Sequence, residues 1–126
     1  MIIAGIGCRR NTSSAEILAV IEAARLRHRL SPTAIQAIAT IAGKQHEPSL
    51  KDAAKALGLL LLIAPEAKVR DAPTLTRSAA SVAATGLPSA SEAAALAACG
   101  KGGRLLGPRV AMAGATCALA YIGDQE

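Results

Sequence analysis

Strand-like and helix-like blocks of apolar residues alternate along the first half of this chain. Met1 to Ile6 is a short apolar run of the kind that forms a buried parallel strand, broken at Gly5 and Gly7 before Cys8, Arg9 and Arg10. Ser13 to Glu16 has the spacing of a capping box, and from Ser14 to about Arg29 the residues Ile17, Leu18, Ile21 and Ala24 recur at a helical period. Ser31-Pro32 punctuates the chain, Ala34 to Thr40 contains a second strand, and the polar run from Gly43 to Glu47, with Lys44, Gln45 and His46 inside it, is a loop. Ser49 is expected to cap a short helix through Ala53, Ala54 and Leu57 that stops at Gly58. Leu59 to Ile63 then reads as a third buried strand, ended by Pro65. A βαβαβ order of this kind implies a parallel sheet with helices packed on it, where ligands collect at the carboxyl ends of the strands.

The second half is less regular. Pro65 to Thr76 is a polar connection, Arg77 to Thr85 is helical, and Gly86-Leu87-Pro88 breaks that helix. Ser89 to Glu92 repeats the capping spacing ahead of the alanine-rich run from Ala93 to Cys99, which ends at Gly100. Lys101 to Gly103 makes a turn, Arg104 to Leu106 a short strand and Ala115 to Ile122 the last strand, with Gly107 to Gly114 as the intervening loop or hairpin turn. The expected fold is therefore a single three-layer α/β/α domain over residues 1–126, with a mostly parallel sheet and an irregular C-terminal half.

Composition sharpens this. A chain of 126 residues has the size of one domain, and at 52% hydrophobic but 1% aromatic residues its core must be built from Ala, Leu, Ile and Val. Small side chains imply a close approach of helix to sheet. The net charge of +5 favours an acidic ligand. Nucleic acid is a poor fit, because the basic residues are scattered beyond Arg9-Arg10 and no aromatic platforms exist for base stacking. Cys8, Cys99 and Cys117 are odd in number and far apart, which fits a reduced, cytoplasmic protein. No export signal is expected, and the longest apolar run, Leu59 to Pro65, is far too short to span a bilayer.

The strand-to-helix loop at Gly5, Gly7, Cys8, Arg9 and Arg10 is the leading candidate site. Two guanidinium groups near a helix N-terminus are suited to carboxylate or phosphate oxygens. The plainer reading is that the glycines only permit a turn and the arginines are solvated. Standard nucleotides are disfavoured: the dinucleotide fingerprint needs a third glycine where Arg10 stands, and no Gly-Lys-Ser/Thr ending of a phosphate loop occurs. Cys8 is either a thiol of lowered pKa, nucleophilic or metal-ligating, or a small packing residue. His28 stands at a helix end; His46, in its loop, is either a metal ligand or an exposed histidine. Thr40, Lys44 and Glu47 lie just past a strand end, with Lys44 and Glu47 as a functional ion pair or a surface pair of little weight. Ser91 and Glu92 bind ligand at a helix start or simply cap it. Neither a resident metal nor a cofactor is expected.

Taken in order, Gly5 to Arg10, then Ala39-Thr40-Ile41 with Lys44, Glu47 and Leu50, a Ser78 segment leading to Gly86, Ser91-Glu92 with Leu96, and a Thr116 to Ala120 strand resemble the CobE/CbiG C-terminal domain family of cobalamin biosynthesis. The likeness runs from Ile2 to Ala120. It implies a corrinoid-pathway protein whose ligand is a precorrin-type macrocycle fringed with carboxylates, bound by Gly5, Gly7, Cys8, Arg9, Arg10, Thr40, Lys44, Glu47, Ser91, Glu92 and Arg109. The lactone-opening activity of the longer CbiG enzymes does not carry over. The family usually has a lysine before its last strand, where this chain has Pro108-Arg109-Val110 and an apolar Ala111-Met112-Ala113; Arg109 can pair with a carboxylate but cannot titrate as lysine does. A carrier or accessory role is the leading expectation. The alternatives are a small enzyme acting on the macrocycle through Cys8 or Glu47, and a module that docks on other pathway enzymes.

Overall fold

The computed structural model describes residues 1–44, 46–112 and 114–123, so Gln45 and Ala113 lie outside the described residues. One sheet organises the chain, with strand order β3-β2-β1-β6-β4 and β5 also paired to β6. Its first half is parallel: β1 (Ile2–Cys8) pairs β2 (Ile35–Thr40), which pairs β3 (Leu60–Ile63). Its irregular half is antiparallel, because β6 (Ala115–Tyr121) returns along the whole free side of β1, from Ile2 opposite Tyr121 to Cys8 opposite Ala115. Beyond β6 the edge is split between β4 (Arg104–Leu105), paired at one end, and β5 (Val110–Met112), paired at the other.

Helices cover both faces, giving the expected three layers. On one face α1 (Ser14–Arg27) and α2 (Pro48–Leu57) bury Ile17, Val20, Ile21 and Leu50 against Ala4, Ile6, Ile38 and Leu119. On the other, α5 (Ala90–Cys99) buries Ala93, Ala94, Ala95 and Leu96 against Ile3, Ala37, Ala39 and Ala120, with α3 (Glu66–Asp71) adding Val69. A strand sends alternate side chains to opposite faces, so β1 presents Ile3, Gly5 and Gly7 to α5. A Cβ on Gly5 would stand 2.0 Å from the Ser91 carbonyl oxygen and 2.6 Å from the Ala95 amide nitrogen. The alanine helix therefore rests directly on the strand backbone, which is how a core without Phe or Trp fills its space.

Capping follows the sequence at two of the expected places. Ser13 accepts the Glu16 N–H at 3.1 Å, and Ser89 accepts that of Glu92 at 3.5 Å. Elsewhere the structure corrects the reading. β1 does not break at its glycines but runs through both to Cys8. Glu47, not Ser49, is the residue ahead of α2, which Pro48 opens; proline suits that position because its missing N–H would have had no helical partner. The connection from Pro65 to Thr76 contains α3, and the segment from Gly107 to Gly114 contains β5. β3 is not a buried strand: it is an edge, with Leu60 72% and Ile63 51% exposed. An apolar run bounded by Gly and Pro reads the same whether one or both faces are covered, and here β6 took the place beside β1 that would have put β3 further inside.

Candidate functional site

At the carboxyl end of β1, α4 (Ala79–Thr85) overhangs the split edge of the sheet and encloses an open cleft of about 270 Å³. Gly7, Cys8 and Arg9 form its inner end, Ser78, Ser81 and Thr85 one wall, Arg109 and Met112 the other, and Thr116 part of its floor. None of α4's residues is buried; Ser78 caps it through the Ser81 N–H at 3.2 Å, and Gly86 ends it in the left-handed conformation. Exposed Ala80, Ala84, Ala111 and Met112 make the rim apolar.

The loop after β1 is built to turn Arg9 and Arg10 outward. Arg9 donates its N–H to the Gly114 carbonyl at 2.9 Å, the Thr12 hydroxyl sits 2.7 Å from the Arg9 carbonyl and 3.0 Å from that of Gly114, and Asn11 takes a positive φ of 67°. Asparagine is among the residues that tolerate that conformation. Both guanidinium groups are left without a protein partner among the described residues, but only Arg9 lines the cleft. Arg109 reaches it from the gap between β4 and β5.

That gap has a cause. Leu106 still donates to Leu119 at 2.9 Å, after which the edge leaves the ladder and Arg109 turns its N–H to the Glu92 carboxylate at 2.9 Å. Glu92 is fully buried at the start of α5 and also accepts the N–H groups of Leu75 and Thr76 at 2.7 and 2.8 Å and the Thr76 hydroxyl at 2.6 Å. Burial alone would push this carboxyl up, yet the bonds from Thr76, Arg109 and Leu75 outweigh it and hold it below the usual carboxylate range.

The candidates named from sequence thus separate. Gly7, Cys8, Arg9 and Arg109 share the cleft, while Gly5, Arg10, Thr40, Lys44, Glu47, Ser91 and Glu92 are not among its walls. Gly5 and Ser91 meet each other under α5, and Glu92 is occupied by protein donors. Thr40 and Ser91 are fully buried with hydroxyls that have no partner among the described residues. Lys44 and Glu47 form no side-chain ion pair there, being joined through the Glu47 N–H and the Lys44 carbonyl at 3.0 Å, although both lie within electrostatic reach of Cys8. His46 is exposed. Burial pushes the Cys8 thiol up, with Lys44 opposing and Glu47 reinforcing, so the lowered thiol pKa weighed from the neighbouring arginines is not what the fold produces. Sequence reasoning missed Ser78, Ser81, Thr85, Thr116 and Met112. Their spacing carries no signal, since they converge only where the fold brings α4 to the same cleft as β5 and β6.

Two cations, several hydroxyls and a small apolar rim give the cleft groups chemically suited to a carboxylate. Burial, by raising the Cys8 thiol, makes it a less activated nucleophile than a free thiol. Among the described residues no helix is long and apolar enough to cross a membrane.

Comparison with known proteins adds a second line of evidence. Residues 2–120 match the family described as Cobalamin synthesis G C-terminus. The chain is 36% identical to CobE, a protein from the cobalamin (vitamin B12) biosynthetic pathway, over 95% of this chain and 89% of that one, with a TM-score of 0.88. It is 34% identical to the cobalamin biosynthesis protein chiG from Agrobacterium tumefaciens, over 98% of this chain and 100% of that one, with a TM-score of 0.77. A cobalamin biosynthesis protein G homologue from Sulfolobus solfataricus shares the fold alone, at 21% identity and a TM-score of 0.71, over 94% of this chain and 36% of that one. No curated protein sequence matches the chain.

Proposed function

This chain belongs to the cobalamin synthesis G C-terminal family and is a protein of cobalamin biosynthesis, and from that premise we propose that it binds a carboxylate-rich, precorrin-type intermediate as a carrier or accessory factor. The observation that carries the reading is that Arg9 and Arg109, from loops far apart in the chain, line one cleft. A guanidinium fork matches a carboxylate in shape and charge. At about 270 Å³ the cleft is below the usual size of a pocket that swallows a whole ligand, so it takes an acetate or propionate arm while the macrocycle lies across Ala80, Ala84, Ala111 and Met112. Burial pushes the Cys8 thiol up, which favours binding over covalent chemistry.

Titrating the protein into hydrogenobyrinic acid, a cobalt-free corrin polycarboxylate, and following the visible spectrum tests this. A saturable shift without a new product is expected. Absence of any shift with corrinoid polycarboxylates refutes the binding reading, and product formation refutes the carrier role in favour of an enzyme.

A further inference from the structure

We propose that Glu92 is a positioning residue for this ligand: one buried carboxylate holds both walls of the cleft at the separation that binding requires. The inference rests on the binding role proposed above for the cleft.

The two walls have little else to fix them. On one side α4 buries no side chain, and its ties are in its N-terminal part: the Ser78 N–H donates to the Pro88 carbonyl at 2.9 Å, and the Ala90 N–H donates to the Ser81 hydroxyl at 3.3 Å. On the other side β5 is a three-residue edge strand, paired to β6 alone and packed on the core through Val110, and it begins just after the chain has left the ladder. Glu92 joins these walls. Its Oε1 accepts the N–H groups of Leu75 and Thr76, which lead into α4, and its Oε2 accepts the Thr76 hydroxyl and the Arg109 N–H. The carboxylate itself is anchored on α5, the helix seated on β1. A charged acceptor makes each of these bonds stronger than its neutral counterpart, and its burial leaves no water to replace them. Ser78 is two residues from one tether, and Arg109 is itself the other, so the groups that meet the ligand are set by a group that does not touch it.

Glu92→Gln keeps the shape of the side chain but leaves one acceptor oxygen where four donors converge. Affinity for hydrogenobyrinic acid is expected to fall about tenfold, a change of about 1.4 kcal/mol, and to do so non-additively with Arg109→Ala, because both act on the same arginine. Leu50→Ala, destabilising in the core under α2, is expected to leave affinity within twofold and so separates positioning from loss of stability. Thr76→Val removes only the hydroxyl bond and should shift affinity several-fold in the same direction, which keeps the test open if the Gln variant fails to fold. Binding of Glu92→Gln within twofold of the parent, or strict additivity with Arg109→Ala, would overturn the proposal. If the parent binds no pigment, the binding role fails instead. Amide exchange then decides the tether: Leu75, Thr76 and Arg109 should exchange faster together in Glu92→Gln, and an unchanged rate at either wall sinks it.

Discussion

Gly5 and Ser91 are in backbone contact across the sheet–helix interface: a Cβ on Gly5 would lie 2.0 Å from the Ser91 carbonyl oxygen. Gly7, two residues on, faces the same helix, but a Cβ there would lie 2.7 Å from the Thr116 hydroxyl and 3.6 Å from the Ser91 nitrogen. The two glycines therefore separate stability from binding.

Gly5→Ala has no flexible side chain to push aside, only the backbone of α5 and the rigid Ala95 Cβ. Overpacking of a filled core usually costs about 1–3 kcal/mol, and a clash with a helix backbone belongs at or above the top of that range. Urea denaturation should show a large fall in midpoint or no folded protein; a midpoint near that of the parent would mean that α5 does not rest on β1 as described.

In Gly7→Ala the Thr116 hydroxyl can rotate away, so the loss of stability should stay below about 1.5 kcal/mol. The new methyl group enters the inner end of the cleft. Pigment affinity should drop several-fold while the thermal midpoint falls by no more than several degrees, and equal affinity would place the ligand elsewhere.

Arg9 and Arg10 are adjacent and both exposed, yet only Arg9 lines the cleft. Arg9→Ala and Arg109→Ala should each weaken binding by about 1.5–3 kcal/mol, the usual worth of a hydrogen bond to a charged group, with a reduced salt dependence. Arg10→Ala should change affinity less than twofold. Fluorescence or absorbance titration at two ionic strengths distinguishes them.

Glu92 sets part of the acid limb of stability. Its folded pKa lies below the unfolded value, so the native state binds that proton less tightly than the unfolded chain. The stability it contributes is complete above the unfolded carboxyl range, at about pH 4.3, and is lost as pH falls through the lower, folded value. Glu92→Gln should flatten that part of a stability–pH curve and cost about 1–3 kcal/mol at neutral pH, since buried donors lose their acceptor. An acid limb identical to the parent's would remove Glu92 from this role.

All three thiols are raised by burial, Cys117 most strongly. At pH 7.5 Cys99 and Cys117 should be unreactive to a thiol-modifying reagent in the folded protein, and Cys8 slower than a free thiol. Cys8→Ser should retain pigment binding within twofold. A rapid burst from one thiol would reopen a nucleophilic role for Cys8.

Periodicity carried most of the fold. The alternation from β1 to β3, the caps at Ser13 and Ser89 and the final alanine helix were all legible, because each depends on neighbours within a few residues. The exposed edge of β3, the existence of β5 and the helix α3 were not, since each depends on what lies beside it in space. Site residues divided the same way. Arg9 was visible as a cation after a strand, while Ser78, Ser81, Thr85 and Thr116 have ordinary local sequences and become a surface only through the placement of α4.

By itself the sequence determined the layered α/β class, the small-residue core and the family to which the chain belongs, since hydrophobic period, composition and ordered motifs are properties of residues near one another along the chain. Tertiary structure alone decided that Gly5 serves packing and Gly7 lines the cleft, that Arg9 rather than Arg10 lines it, and that Glu92 joins its walls. The partners of Glu92 lie 16 and 17 residues away in opposite directions along the chain, and only the fold brings those donors to one carboxylate.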